Sequence, residues 1–136
     1  MDTTFLIDLQ NERRGRGRAR GATDFLRSHP ATEFLLPMVA LGKYLEGFDD
    51  PSSPQAQALV EGLQLLPVTR AVATLYAQRA RTLRGKGQLP GTNDLWIACT
   101  ASEAGLPIVT RNTAHFRRVE GLEVVTYEAP SPADNG

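Results

Sequence analysis

The chain has 136 residues, enough for one domain with its own core and too few for two. Lysine plus arginine equals aspartate plus glutamate at 15 each, so no global field draws the molecule to nucleic acid or to a membrane, and local clusters must carry any such attraction. The longest apolar runs, LWIAC and FLLPMVALG, fall short of the about 20 residues that span a bilayer. No charged start followed by an apolar core marks an export signal, and the single cysteine excludes a disulfide framework or a cysteine metal cage. These features predict a cytoplasmic protein in which Cys99, among apolar neighbours, is a small buried filler.

In chain order, DTTFLIDLQ reads as the exit of a short strand running into a helix, with Leu6, Leu9 and Phe5 turned inward. Residues 11 to 21, NERRGRGRARG, lack hydrophobic periodicity and carry three glycines, so they predict a loop or frayed turn. A helix over Ala22 to Ser28 follows, then a brief strand TEFLL, and Pro37 opens an amphipathic helix through Phe48. After the turn DDPSSP, residues 55 to 64 read as another helix and LQLLPV as a strand. Thr69 caps a long helix to about Arg84. GKGQLPGT is a loop, residues 93 to 104 a helix closed by Gly105, and LPIVT and LEVVTY are strands. Strands separated by helices imply right-handed crossovers and a mainly parallel sheet covered on both faces. The segment APSPADNG predicts a disordered tail after a single domain over residues 1 to 127.

Ligands of such sheets gather beyond the carboxyl ends of the strands. Asp2 and Thr4 lie at the exit of strand one, the helix from residue 37 lies beyond strand two, and Thr110, Arg111 and Asn112 leave LPIVT. Asp94 heads the helix that packs against the same edge. A carboxylate beside a buried apolar run such as LWIAC needs a cation or several donors to meet it. A hard divalent cation with oxygen ligands is the economical partner: Mg²⁺ takes one or two carboxylates, keeps several waters and leaves room for a phosphate. Metal-assisted hydrolysis of a phosphodiester is the chemistry that follows.

The segments DTTFLID, NDLWIACTASEAGLPIVTRNTAHF and RVEGLEVVTY together resemble the PIN-domain ribonucleases, and among them the VapC-type toxins of bacterial toxin-antitoxin pairs, over nearly the whole chain to Tyr127. The resemblance implies a three-layer α/β/α sandwich with a mainly parallel four- or five-stranded sheet. It also implies a Mg²⁺ or Mn²⁺ site of clustered acids, endonucleolytic cleavage of RNA, neutralisation by a small antitoxin that lays a segment across the site, and a homodimer. Asp2 matches the family's first acid and Asp94 the acid that heads the later helix. In VALGKYLEG, Lys43 stands where the family has a glutamate; an ammonium there removes a ligand, repels the cation, and could sit among the remaining acids as a built-in counter-ion. Glu46, three residues on, lies close to the same helical face and could reach the site through a water. Asn112 takes the place of a fourth acid, where its amide oxygen orients water without adding charge. The family's first aspartate usually follows a few apolar strand residues; only Met1 precedes Asp2, which implies a very short strand or a start that omits part of it.

Other residues have simpler readings. Asp8 is expected to be a helix-surface acid, Thr4 to cap the first helix while supporting the site, and Asn93 to cap the later one. His29 and His115 are isolated, without metal-ligand spacing; Trp96 reads as core, and Tyr76, Arg79 and Arg81 as surface or core-edge residues. Arg13, Arg14, Arg16, Arg18 and Arg20 crowd one segment without an intervening acid, and their forks suit phosphate oxygens of an RNA backbone. Two readings stand: a metal-dependent endoribonuclease, and a catalytically weakened PIN-like binding module that docks antitoxin or RNA without cutting.

Overall fold

A computed structural model describes residues 1–127; the predicted tail lies outside the described residues. The first helix, α1 (Thr3–Arg13), begins at Asp2, whose carboxylate accepts the Phe5 N–H. Phe5, Leu6 and Leu9 face the core as their spacing predicts. α1 runs further than hydrophobic periodicity suggests, through Asn11, Glu12 and Arg13. The reason is Glu12, whose two oxygens accept the backbone N–H groups of Arg20, Ala22 and Thr23, 2.8 to 3.1 Å away. One side chain thus closes the arginine loop and caps α2 (Ala22–Ser28), whose N-cap Gly21 has φ of 100° and no side chain of its own to offer. Burial would push the Glu12 carboxyl up, but those donors together hold it below its ordinary value.

Strand β1 (Leu35–Pro37) passes directly into α3 (Met38–Leu45), with Pro37 as N-cap. α4 (Pro54–Gln57) is a single turn capped by Ser53, shorter than the ten residues expected, because the chain turns at Gly62 (φ 85°) to reach β2 (Gln64–Leu66). α5 (Arg70–Gly85) starts at Thr69, whose hydroxyl accepts the Val72 N–H as predicted. α6 (Thr92–Glu103) is the central helix: Leu95, Ile97, Ala98, Cys99, Thr100 and Ala101 are all buried. A helix apolar on so many sides shows no clear stripe and must be enclosed. β3 (Ile108–Val109), the one-turn α7 (Thr113–Phe116), which sequence periodicity does not announce, and β4 (Val124–Val125) complete the order.

The strands form two parallel pairs, β1 with β2 (Leu36 opposite Leu65) and β3 with β4 (Ile108 opposite Val124). The first two residues join them. The Met1 amino group donates to the Leu35 carbonyl at 2.9 Å, and the Asp2 N–H donates to the Val109 carbonyl at 3.3 Å. Met1 and Asp2 therefore bridge β1 and β3 through their backbone. One hydrophobic cluster runs from Met1 through Phe5, Leu36, Leu95 and Ile108 to Tyr127. Trp96 packs against it half-buried rather than within it, its ring stacked on Tyr76 of α5 with centroids 3.8 Å apart.

Candidate metal and RNA site

Asp2 is 2% exposed, an expensive place for a carboxylate. Its Oδ1 accepts the Phe5 N–H at 3.0 Å, and its Oδ2 accepts the Thr110 hydroxyl at 2.5 Å. The cap of α1 is therefore Asp2, where Thr4 was expected; Thr4 sits inside the helix. Thr3 takes the supporting role instead, its hydroxyl donating to the Ala40 carbonyl at 3.4 Å and tying α1 to the first turn of α3. Burial pushes the Asp2 carboxyl up; the bonds from Thr110 and Phe5 and the amino terminus oppose this, and the negative charge of Asp94 adds to the rise. Two acids 92 positions apart in sequence thus lie close enough to repel at one rim of the sheet.

Asp94 stands in the first turn of α6, where the helix dipole favours an anion. Its side chain is 31% exposed, and among the described residues no hydrogen bond reaches its oxygens. The cap of α6 is Gly91, so Asn93, expected there, is an exposed first-turn residue. Beside the Asp94 carboxylate lies His115, whose Nδ1 is 3.5 Å from Oδ2. The isolation of His115 in sequence is thus undone by the fold. Asn112 is exposed at the start of α7, and its backbone N–H donates to the Thr110 hydroxyl at 2.9 Å, one bond removed from Asp2. Thr110, expected at the exit of LPIVT, is the hub of this rim, bonded to Asp2 and to the Asn112 N–H.

Lys43 and Glu46 answer to each other. The ammonium lies 2.5 Å from Glu46 Oε1 on the exposed face of α3, so Lys43 is the counter-ion of Glu46, while the charges acting on Asp2 are the amino terminus and Asp94. Both line a groove of about 460 Å³ between α1 and α3, together with Arg14 and Arg16 and the apolar Ile7 and Phe48. Thr3, the neighbour of Asp2, lines it too. Arg13 lies in the last turn of α1, and the loop onward to Arg18 and Arg20 is shaped by Gly15 and Gly17, with φ of 65° and 68°.

Asp8 corrects the sequence reading most sharply. Expected on the surface, it is 5% exposed. Arg111 clasps it through Nε at 2.8 Å and Nη2 at 3.2 Å, and the Tyr127 hydroxyl donates to it at 2.5 Å. Burial and the bond to Asp8 push the Tyr127 hydroxyl well above its ordinary range, so it stays a donor. Arg111 follows Thr110 directly, so this clamp fixes the β3 exit against α1. Cys99 is fully buried and its thiol is pushed up to about 11 by burial, the unreactive filler expected.

A divalent cation suits this donor set. The two carboxylates repel each other, one has free oxygens, and a buried ring nitrogen beside it has no hydrogen-bond partner. Among the described residues there is no group of three or more histidine, cysteine, aspartate or glutamate side chains placed to hold an ion. Asp2 and Asp94 are the carboxylates that would hold such an ion, with water completing its coordination.

Residues 1–122 match the PIN domain family. Ribonuclease VapC1 of Haemophilus influenzae (strain R2866) is 33% identical over 67 residues, 49% of this chain and 50% of that protein. Ribonuclease VapC1 of Methanocaldococcus jannaschii is 25% identical over 129 residues, 94% of this chain and 85% of that protein. The match thus spans about half the length of the first of these relatives. Among solved structures, VapBC-1 from nontypeable Haemophilus influenzae superposes with a TM-score of 0.74 at 23% identity, covering 93% of this chain and 95% of that one. VapBC2 from Rickettsia felis, bound to a DNA fragment from its promoter, gives 0.78 at 17% identity, covering 93% and 96%. With the parallel strands, the rim of acids and a match over 122 of 136 residues, the chain belongs to the PIN domain family.

Proposed function

We propose that the protein is a metal-dependent endoribonuclease, the toxin of a toxin-antitoxin pair. The observation that supports this reading is that Asp2, at the head of α1, and Asp94, in the first turn of α6, are near enough for the Asp94 charge to act on Asp2, one carboxylate buried and the other open. The names of the curated relatives and the toxin-antitoxin complexes among the structural neighbours support it. Asp2 and Asp94 would hold Mg²⁺ or Mn²⁺, which supplies charge to a scissile phosphate and acidifies a water. Thr110 and the Phe5 N–H keep Asp2 aimed. Asn112 would orient water through its amide. Glu46, engaged by Lys43, acts at most on the groove side of the site.

The groove between α1 and α3 is the path proposed for the RNA backbone. Arg14, Arg16 and Lys43 supply cations along it, and Arg13, Arg18 and Arg20 extend the basic loop beyond. An antitoxin segment crossing the same rim would compete with RNA for it. The homodimer implied by the family belongs to this reading and is checked by light scattering on the purified chain. Among the described residues no helix is long and apolar enough to cross a membrane.

A second reading, a PIN module that binds without cutting, is favoured by Lys43 in the glutamate position. The test is cleavage of structured RNA with Mg²⁺ or Mn²⁺ by the parent, Asp94→Ala and Lys43→Glu proteins. The nuclease reading expects Asp94→Ala to lose more than the about 10–100-fold that removal of an outer partner costs. A silent parent beside an active Lys43→Glu protein establishes the second reading. Equal cleavage by Asp94→Ala and parent contradicts the site.

A further inference from the structure

α7 is one turn long, and its only buried side chain is Phe116, 1% exposed. That anchor holds the preceding residue, His115, over the first turn of α6. The His115 side chain is 44% exposed, yet its Nδ1 is buried, has no hydrogen-bond partner, and faces Asp94 Oδ2 across 3.5 Å. The gap is longer than the about 3.2 Å of an N–H···O bond and shorter than a water would need. Buried polar atoms without partners are rare and call for an explanation.

The two acids of the rim differ in how they are held. Both Asp2 oxygens are engaged, by Phe5 and Thr110, whereas the Asp94 oxygens accept no hydrogen bond among the described residues. A carboxylate that is free to rotate holds an ion less well than one fixed by an outer donor. We propose that His115 is a positioning residue for Asp94. Its Nδ1–H donates to Oδ2 when the carboxylate turns to take a cation, leaving Oδ1 for the ion and Nε2 toward solvent. This rests on the proposed reading of Asp94 as a metal ligand.

The test is Mn²⁺ binding without RNA, followed by the electron paramagnetic resonance of the free ion. The parent is compared with His115→Leu, which keeps bulk, His115→Asn, which keeps an N–H near the place of Nδ1, and Asp94→Asn. The expected result is Mn²⁺ affinity lowered about 10–100-fold in His115→Leu, largely recovered in His115→Asn, and lost in Asp94→Asn, with far-ultraviolet dichroism unchanged in all. His115→Leu binding Mn²⁺ like the parent overturns the proposal, as does a folded His115→Asn protein as weak as His115→Leu. If the parent binds no Mn²⁺, or Asp94→Asn binds it equally, the metal reading itself fails and takes this proposal with it.

Discussion

At Asp2, function and stability pull in opposite directions. The carboxylate is nearly inaccessible to water and repelled by Asp94, so folding raises its proton affinity. An unfolded aspartate titrates near about 3.9. A group whose folded value is raised contributes stability that is fully present below the unfolded value and lost as pH rises through the folded one. The metal-free protein should therefore lose stability as pH climbs above the ordinary carboxylate range. Asp2→Asn removes that dependence and keeps one acceptor oxygen, for the Phe5 N–H; its amide NH2 can only donate, so the Thr110 hydroxyl must turn to accept from it. The variant should melt higher than the parent at pH 7 without metal, by about 3 °C for on the order of 1 kcal/mol, and should not cleave RNA. Melting curves from pH 4 to 8 check this; parallel curves for the two proteins would contradict it.

Among the elements, the stretch from β3 to α7 is fixed by partners far away in sequence. Asp8 and Arg111 are 103 positions apart, and Asp8 and Tyr127 are 119 apart. Replacing Arg111 by Met leaves Asp8 buried without its cation. Breaking such a pair costs about 3–5 kcal/mol when both groups are enclosed; Arg111 reaches water, so about 2–3 kcal/mol is expected. Asp8→Asn with Arg111→Met should recover part of the loss, and urea unfolding of the two single variants and the double variant measures the coupling. Additive effects would show that the clamp is not a unit. The basic loop makes a separate prediction. Arg14→Ala with Arg16→Ala should flatten the dependence of log RNA affinity on log salt by about 1.4, at about 0.7 per phosphate contact on a single strand. A slope equal to the parent's would remove the groove from the RNA path.

These contrasts show why some elements were legible and others were not. Thr69 as a cap, Pro37 at a helix start and the helix over residues 93 to 104 depend on neighbours within a turn, and local signals announced them. The end of α1 is not legible in the sequence because Glu12 receives its donors from Arg20, Ala22 and Thr23 across a loop. Asp8 looked solvated because periodicity cannot reveal an arginine a hundred residues away. Topology and family resemblance point to Asp2 and Asp94; the histidine beside Asp94 carries no spacing signal at all.

For the molecule as a whole, Met1 and Asp2 join two parallel strand pairs and deliver a carboxylate to the same rim as the head of α6. Repulsion between Asp2 and Asp94 is tolerable in the working protein if a doubly charged ion offsets it. Binding to the folded state alone stabilises by about 2.7 kcal/mol at a hundred times the dissociation constant. The most direct measurement is the melting temperature at pH 7 with and without saturating Mn²⁺, for the parent, Asp2→Asn and Asp94→Asn proteins. The account predicts a clear rise on adding Mn²⁺ to the parent and little or none in either variant. A rise of equal size in all three would mean that these two carboxylates do not share an ion.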